Sequence, residues 1–497
     1  GISESILAAA IARSGRSVLH LERAECYGDA WSTLDLEELI AAVEKEEVGG
    51  QEAASNTASQ TTLPFADRTL ASRVGPGEVF GDADGVHKTL VDLSPRPIFC
   101  SGDMVDLLVR SKGGNYVDFK PLTKTFLDFG EGDLGLQQVP ASRSEVFQTR
   151  IISPVDKRVL MRFIKDCSEG LVVTDEKTFV ELMQARHLSD RLQKIMLHTV
   201  LFAAEGPNTG DPWEGLSAGD GVEAVRRFSS SLARFNTNSA ILFTNYGSGE
   251  LPQAFCRLAA VQGAVYILRR GLQAVTVKDG AVKGVTTTAG DNIATEKVFA
   301  SSMYDRTRRG EEEFRWRFCG LIHHGAENLL SDVPRALVLL PSDRSAENSA
   351  VRMWQMDSTL GVCQQDRHVL YAECLSAERG NESIRAAFRR VLGDEWRSLI
   401  VRGVLYRHRL WRRAENGSKP AGLSWVYDQD IEIDYHRAIK EAERVFCDSY
   451  PGETMFPPDR PSNTSHQETE AETIGTPQEP RPDTNDTDED KETSAES

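Results

Sequence analysis

The 497-residue chain has little that would hold a metal, cross a membrane or attract a polyanion. Its 8 cysteines, at positions 26, 100, 167, 256, 319, 363, 374 and 447, are scattered. They form no C-x-x-C pair and no Cys/His cluster at ligand spacing, so the sequence predicts reduced thiols in the cytosol and no zinc site. The longest apolar stretch near the start, Ile6–Ala12, is too short to span a bilayer, and no cleavage pattern or C-terminal prenylation box is present. Positive charge is in deficit: 57 Lys+Arg stand against 75 Asp+Glu, a net charge of −18. A general binder of nucleic acid or anionic membrane is disfavoured on that ground. There is no P-loop, no G-x-S-x-G and no H-E-x-x-H. The pair His323-His324 has no third ligand in view, and Glu311–Glu313 reads as a solvated face.

Apolar residues are scarcest at the end. Residues 461–497 contain only Ala471, Ile474 and Ala495, with 11 acids and 2 bases, and so carry half the total charge on a segment that cannot build a core. This tail is expected to keep the protein soluble. Residues 47–90 lack periodicity and are rich in Gly, Ala, Ser, Thr, Gln and Asp, which predicts a long mobile surface insertion.

What is there is an alternation of helix and strand. Residues 2–14 favour helix and end at Gly15; Arg16-Ser-Val-Leu-His-Leu-Glu22 reads as a strand ending in an acid, the back part of a βαβ unit that opens at its turn, with the strand before it expected to be missing. Residues 36–46 are expected to be helical. A mostly helical region is predicted up to about residue 225, with Ser153-Pro154-Val-Asp156 as a helix start. Strands are expected at 241–244, 264–268, 274–278, 282–288, 297–301, 336–340, 350–356, 368–373 and 399–405. Helices are expected after Gly249, over 381–392 with Asn381 as cap, and over 435–446. The order is α/β, then all-α, then sheet. It predicts a sheet domain over 1–98 and 226–456, a helical domain over 99–225 and a disordered tail over 457–497.

The opening turn is a poor dinucleotide site. Such a turn needs glycines where the backbone meets a pyrophosphate, but only Gly1 remains, and Glu4 stands where the third glycine would fall. Its carboxylate would repel phosphate, although Glu22 is placed to hold a ribose. The expectation is a retained fold with no cofactor.

Arg16-Ser-Val-Leu-His-Leu-Glu-Arg-Ala-Glu-Cys-Tyr27-Gly-Asp-Ala-Trp31 resembles the first signature of the Rab escort protein and Rab GDP-dissociation inhibitor superfamily. Tyr246-Gly-Ser-Gly-Glu250-Leu-Pro-Gln-Ala-Phe-Cys-Arg257 resembles a later one, and Asn115-Tyr-Val-Asp-Phe-Lys120 fits between them. The resemblance covers roughly 1–45 and 91–455. Asp29 departs from it, standing where the family usually has a glycine, and 422–434 matches poorly.

The resemblance implies an α/β, flavoprotein-like large domain (Rossmann-derived, mixed sheet) without flavin, and an inserted all-α small domain. It implies a Rab-binding platform using Tyr27, Glu250, Arg257 and, at its edge, Ile267. Read on its own, Gly247-Ser-Gly-Glu-Leu-Pro turns a strand into a capped helix; both readings can hold together. The long insertion and acidic tail resemble the escort branch. So do Phe147 and Arg158, whose counterparts there contact the Rab geranylgeranyltransferase heterodimer. On the residues alone, Phe147 is expected to pack into the helical core and Arg158 to be a surface cation; the resemblance reverses that expectation. The implied function is non-catalytic. The chain would bind unprenylated, GDP-bound Rab GTPases, present them to the transferase, shelter the geranylgeranyl lipid as cargo and touch membranes transiently. A recycling Rab GDP-dissociation inhibitor and a flavin-dependent oxidase are the rival readings.

Overall fold

In a computed structural model of the chain, the described residues are 1–45, 62–65, 73–83, 86–130, 135–173, 177–202, 216–235, 237–304, 312–323, 330, 332–342, 348–374, 376, 378–411, 419–427 and 433–457. The acidic tail, residues 47–61, Glu311 and His324 lie outside them. All described residues belong to the compact body Gly1–Pro457.

The helix Ile2–Arg13 is buried on nearly every face, which is why its sequence shows no amphipathic stripe. It packs between the helices Glu250–Val261 and His436–Ser449, where Ile6, Leu7 and Ile11 join Phe255, Ile439 and Phe446 in one core. Short parallel pairs flank it: Leu19–Leu21 with Val265–Ile267, and Val298–Ser301 with Leu423–Val426. An antiparallel meander, Leu272–Lys278 and Ala281–Thr287 with Asn292–Ala294, carries Thr62–Pro64 on its other edge.

The larger sheet has eight strands in the order Val74–Phe80, Ile400–Trp411, Glu312–His323, Arg367–Cys374, Val351–Asp357, Ala336–Leu340, Lys124–Asp128 and Leu136–Val139. All neighbours are antiparallel except Ala336–Leu340 with Lys124–Asp128. Alternation divides its side chains between two cores. Phe318, Leu370 and Val338 meet Ile384 and Phe388 of the helix Gly380–Leu392, whereas Cys319, Tyr371 and Leu339 join the core of the helical layer.

That layer consists of Arg143–Gln148, Pro154–Ser168, Phe179–Ala185, Asp190–Ile195 with a wider turn over Met196–Val200, and Ala218–Arg234. Four of these helices start by one device. Ser142, Ser153, Thr178 and Ser217 accept from the backbone N–H of Glu145, Asp156, Glu181 and Asp220, each three residues on. At Gly221 the Phe179 ring lies where a Cβ would be.

Three expectations need correction. The span 99–225 is not all helix: Phe119–Pro121, Lys124–Asp128 and Leu136–Val139 are strands, and the helical layer begins at Arg143. Phe119–Pro121 and Lys124–Asp128 pair with strands far along the chain, Ile241–Thr244 and Ala336–Leu340, and Leu136–Val139 is joined to the sheet only through Lys124–Asp128. The 47–90 insertion also contains structure. Val74–Phe80 is an edge strand whose Gly77 lies against the Leu405 carbonyl, and glycine with Pro76 at a sheet edge reads like loop. Finally, Asn381 is not a cap; the helix begins at Gly380, and the Asn381 Oδ1 accepts from Arg385 Nε at 2.6 Å.

Candidate docking surface and the filled cleft

The turn after Leu19–Leu21 places Tyr27 just before Gly28, which takes φ 110. Tyr27 meets the edge of Tyr266, with ring centroids 5.6 Å apart at 88°. Tyr266 in turn stacks on His20 at 4.7 Å across the parallel pair. On the other side, Tyr246 (φ 61) and Gly247 (φ 99) reverse the chain after Ile241–Thr244 and start the helix Glu250–Val261. Glu250 stands in its first turn. Arg257 lies two turns on, with its guanidinium 4.6 Å from the centroid of Tyr116.

These pieces enclose an open pocket of about 350 Å³, lined by Tyr27, Tyr116, Glu250, Cys256, Arg257 and Tyr266 among others. Burial holds the Glu250 carboxyl above its ordinary range and does the same to the Tyr27 phenol. Gln253 Nε2 donates to Glu250 Oε1 at 3.4 Å. The pocket therefore offers a half-desolvated acceptor, a cation on an aromatic face and two phenol rings. This is a surface suited to a protein partner's backbone and side chains.

Of the sequence-predicted residues, the structure brings Tyr27, Glu250 and Arg257 together. Ile267 stands beside the pocket on Val265–Ile267, 36% exposed, and does not line it. The sequence alone does not single out Tyr116, Gln253 and Tyr266. Tyr116 lies inside the quoted 115–120 motif and Tyr266 is adjacent to Ile267, so the motifs held the signal.

The other proposed pair lies on the helical layer. Phe147 does not pack into the core: it is 64% exposed at the end of Arg143–Gln148, while Val146 beside it is buried. Arg158 is exposed on Pro154–Ser168. Between them, Lys157 Nζ donates to the Phe147 and Thr149 carbonyls at 2.8 and 2.6 Å, tying the two helices together.

The start of Ile2–Arg13, where a dinucleotide would dock, is closed. Glu4 fills the first turn, and a Cβ on Gly1 would meet its Oε2 at 2.7 Å. Arg73, 2% exposed, donates through Nε to Asp29 Oδ1 at 2.9 Å and pairs a second time through Nη2 with Oδ2. Burial pushes the Asp29 carboxyl up, but Arg73 and the Gly1 ammonium together outweigh it and hold the group below the usual carboxylate range. Gly1, Glu4, Asp29, Trp31 and Arg73 leave a void of about 10 Å³, no more than one water needs. Glu22 is likewise inward, accepting from Ala24 N at 3.3 Å, with its carboxyl raised by burial. A bulky dinucleotide cofactor does not fit these residues.

The fold is thus flavoprotein-like, with its nucleotide cleft filled by side chains and an open, polar–aromatic docking pocket on the adjacent helix. The chain belongs to the GDP dissociation inhibitor family, whose model matches residues 43–389. It is 27% identical over 473 residues to the Rab proteins geranylgeranyltransferase component A of Drosophila melanogaster, covering 92% of this chain and 88% of that one. It is 25% identical over 528 residues to Rab escort protein 1 of Arabidopsis thaliana, covering 92% of each. Among solved structures, Rab GDI from Plasmodium falciparum superposes with a TM-score of 0.69 at 16% identity, covering 91% of this chain and 97% of that one.

Proposed function

We propose that this chain acts as a non-catalytic escort for Rab GTPases. It binds the unprenylated, GDP-bound form at the Tyr27–Glu250–Arg257 surface, with Ile267 at the rim. It presents the Rab to the geranylgeranyltransferase heterodimer through Phe147 and Arg158, then carries the lipidated product to a membrane. The observation that carries this reading is the convergence of Tyr27, Glu250 and Arg257, distant in sequence, on one open pocket. The family and the escort and transferase-component relatives support it.

The escort performs no bond chemistry and works without a flavin, consistent with a cleft occupied by Glu4, Asp29 and Arg73. It resides in the cytosol, touches membranes only during delivery and does not bind nucleic acid, in keeping with its charge of −18. Cargo shelter has a physical need: exposed lipid is worth about 0.8 kcal/mol per CH₂, so a prenylated Rab does not stay dispersed unaided.

The test is an in vitro reaction of unprenylated Rab, transferase and labelled geranylgeranyl diphosphate, with and without this chain. Label should reach Rab only with it. Replacing Phe147 and Arg158 together by Ala should abolish transferase recruitment and spare Rab binding. Extraction of prenylated Rab from membranes without support of prenylation would instead identify a recycling inhibitor. A yellow, redox-active protein with no affinity for Rab would refute both.

A further inference from the structure

Glycines 247 and 249 resemble a phosphate-binding turn, yet their surroundings are already occupied. Thr33 and Asp92 face each other in the antiparallel pair Thr33–Asp35 with Leu90–Asp92. The Thr33 hydroxyl donates to Asp92 Oδ1 at 2.5 Å and accepts from Gly249 N at 2.9 Å. The same Asp92 oxygen accepts from Ser248 N at 2.9 Å. Asp92 is 2% exposed, and its own N–H donates to the Tyr371 hydroxyl at 2.9 Å.

The approach is too close for a side chain at 247 or 249. A Cβ on Gly247 would come within 2.5 Å of Thr33 Oγ1 and 2.6 Å of Asp92 Oδ1, and one on Gly249 within 2.7 Å of Thr33 N. The glycines are therefore explained by a carboxylate and a hydroxyl supplied from within the chain. Both N–H groups held in this way belong to the entry of Glu250–Val261, and the next residue is Glu250.

We propose that Thr33 and Asp92 are positioning residues for the docking surface. They clamp the Gly247–Gly249 turn and so set the direction in which Glu250 enters the pocket. Partner affinity then depends on two side chains that do not line the pocket. This inference rests on the Rab-docking reading above.

The experiment measures the affinity of the full chain for a GDP-loaded Rab in T33V, T33S, E250A and T33V/E250A, with amide hydrogen exchange read at Gly249. T33V deletes the hydroxyl at nearly constant shape and should weaken binding about tenfold, since it orphans the Gly249 N–H and takes a donor from Asp92. T33S keeps the hydroxyl and should bind within about twofold of the parent. Exchange at Gly249 should quicken in T33V and not in T33S. In the E250A background, adding T33V should change affinity by less than about twofold, because the two act through one side chain. Should T33V fold poorly, T33A is read by the same criteria. Parent-like affinity in the hydroxyl-deleted variant overturns the inference. So does an undiminished loss in the E250A background, which would mark a general effect on stability. An E250A protein that binds like the parent refutes the docking reading itself, and this inference with it.

Discussion

The filled cleft and the open pocket are built from similar parts. Each lies at the start of a twelve-residue helix, Ile2–Arg13 or Glu250–Val261, preceded by a glycine and carrying a glutamate in its first turn. One leaves a void of about 10 Å³ and the other a pocket of about 350 Å³. The difference lies in what surrounds the helix start. At the first, Asp29 and the inward Arg73 neutralise each other and occupy the volume. At the second, the N–H groups are satisfied from behind the turn, Ser248 N by the Asp92 carboxylate and Gly249 N by the Thr33 hydroxyl, and Glu250 faces the pocket. A glycine turn on a helix end thus specifies no ligand; the chain's own acids decide whether the site is sealed or offered.

The comparison breaks most readily at the seal. Asp29→Ala removes the carboxylate that faces a buried guanidinium and should destabilise the body by about 3–5 kcal/mol in chemical denaturation. An unchanged midpoint would mean that the pair does not hold the cleft shut. Because Arg73 and the Gly1 ammonium keep the Asp29 carboxyl below its usual range, the stabilisation is present above the unfolded carboxylate pKa of about 3.9 and is lost as pH falls below it. The gap between parent and variant should therefore narrow in unfolding curves recorded near pH 3.

On the open side, Arg257→Ala should weaken binding of GDP-loaded Rab by about 2 kcal/mol, or roughly thirtyfold. Its melting temperature should change little, since its aromatic contact is worth about 0.5–1 kcal/mol. A thermal shift larger than the loss of binding would reverse the contrast between seal and surface. Between the two lies Gly28, at φ 110 with Pro252 Cγ 3.0 Å from where a Cβ would be. Gly28→Ala should cost about 1–2 kcal/mol in unfolding free energy. The smallest effect is at Phe147: Phe147→Ala should alter stability by less than about 0.5 kcal/mol, as measured by denaturant unfolding, because the ring is largely outside the core.

Much of this is legible in the sequence. Strands 241–244 and 336–340 appear at their expected bounds because they are apolar runs flanked by turns. Ser153-Pro154 announces its helix through capping chemistry that is local in sequence. Glu4 was readable as an obstacle to phosphate because it stands where the third glycine of a dinucleotide turn would fall. Arg73 was not readable, since its partner is 44 residues away and its own surroundings look like loop. Asp29 stood out as a departure, but its reason, a left-handed φ of 49 held by an ion pair, needed the fold. The same limit hid Tyr116 beneath Arg257: a cation over a ring leaves no spacing pattern when the two are 141 positions apart.

Lys157 deserves a last consequence. By gripping the Phe147 and Thr149 carbonyls, it ties the end of a six-residue helix to the next one. An isolated helix of that length would fray in water. Anchored in this way, the aromatic ring is presented by a backbone ordered in advance. A partner landing there forgoes little of the conformational freedom that association usually removes, so even a contact of modest area can be productive.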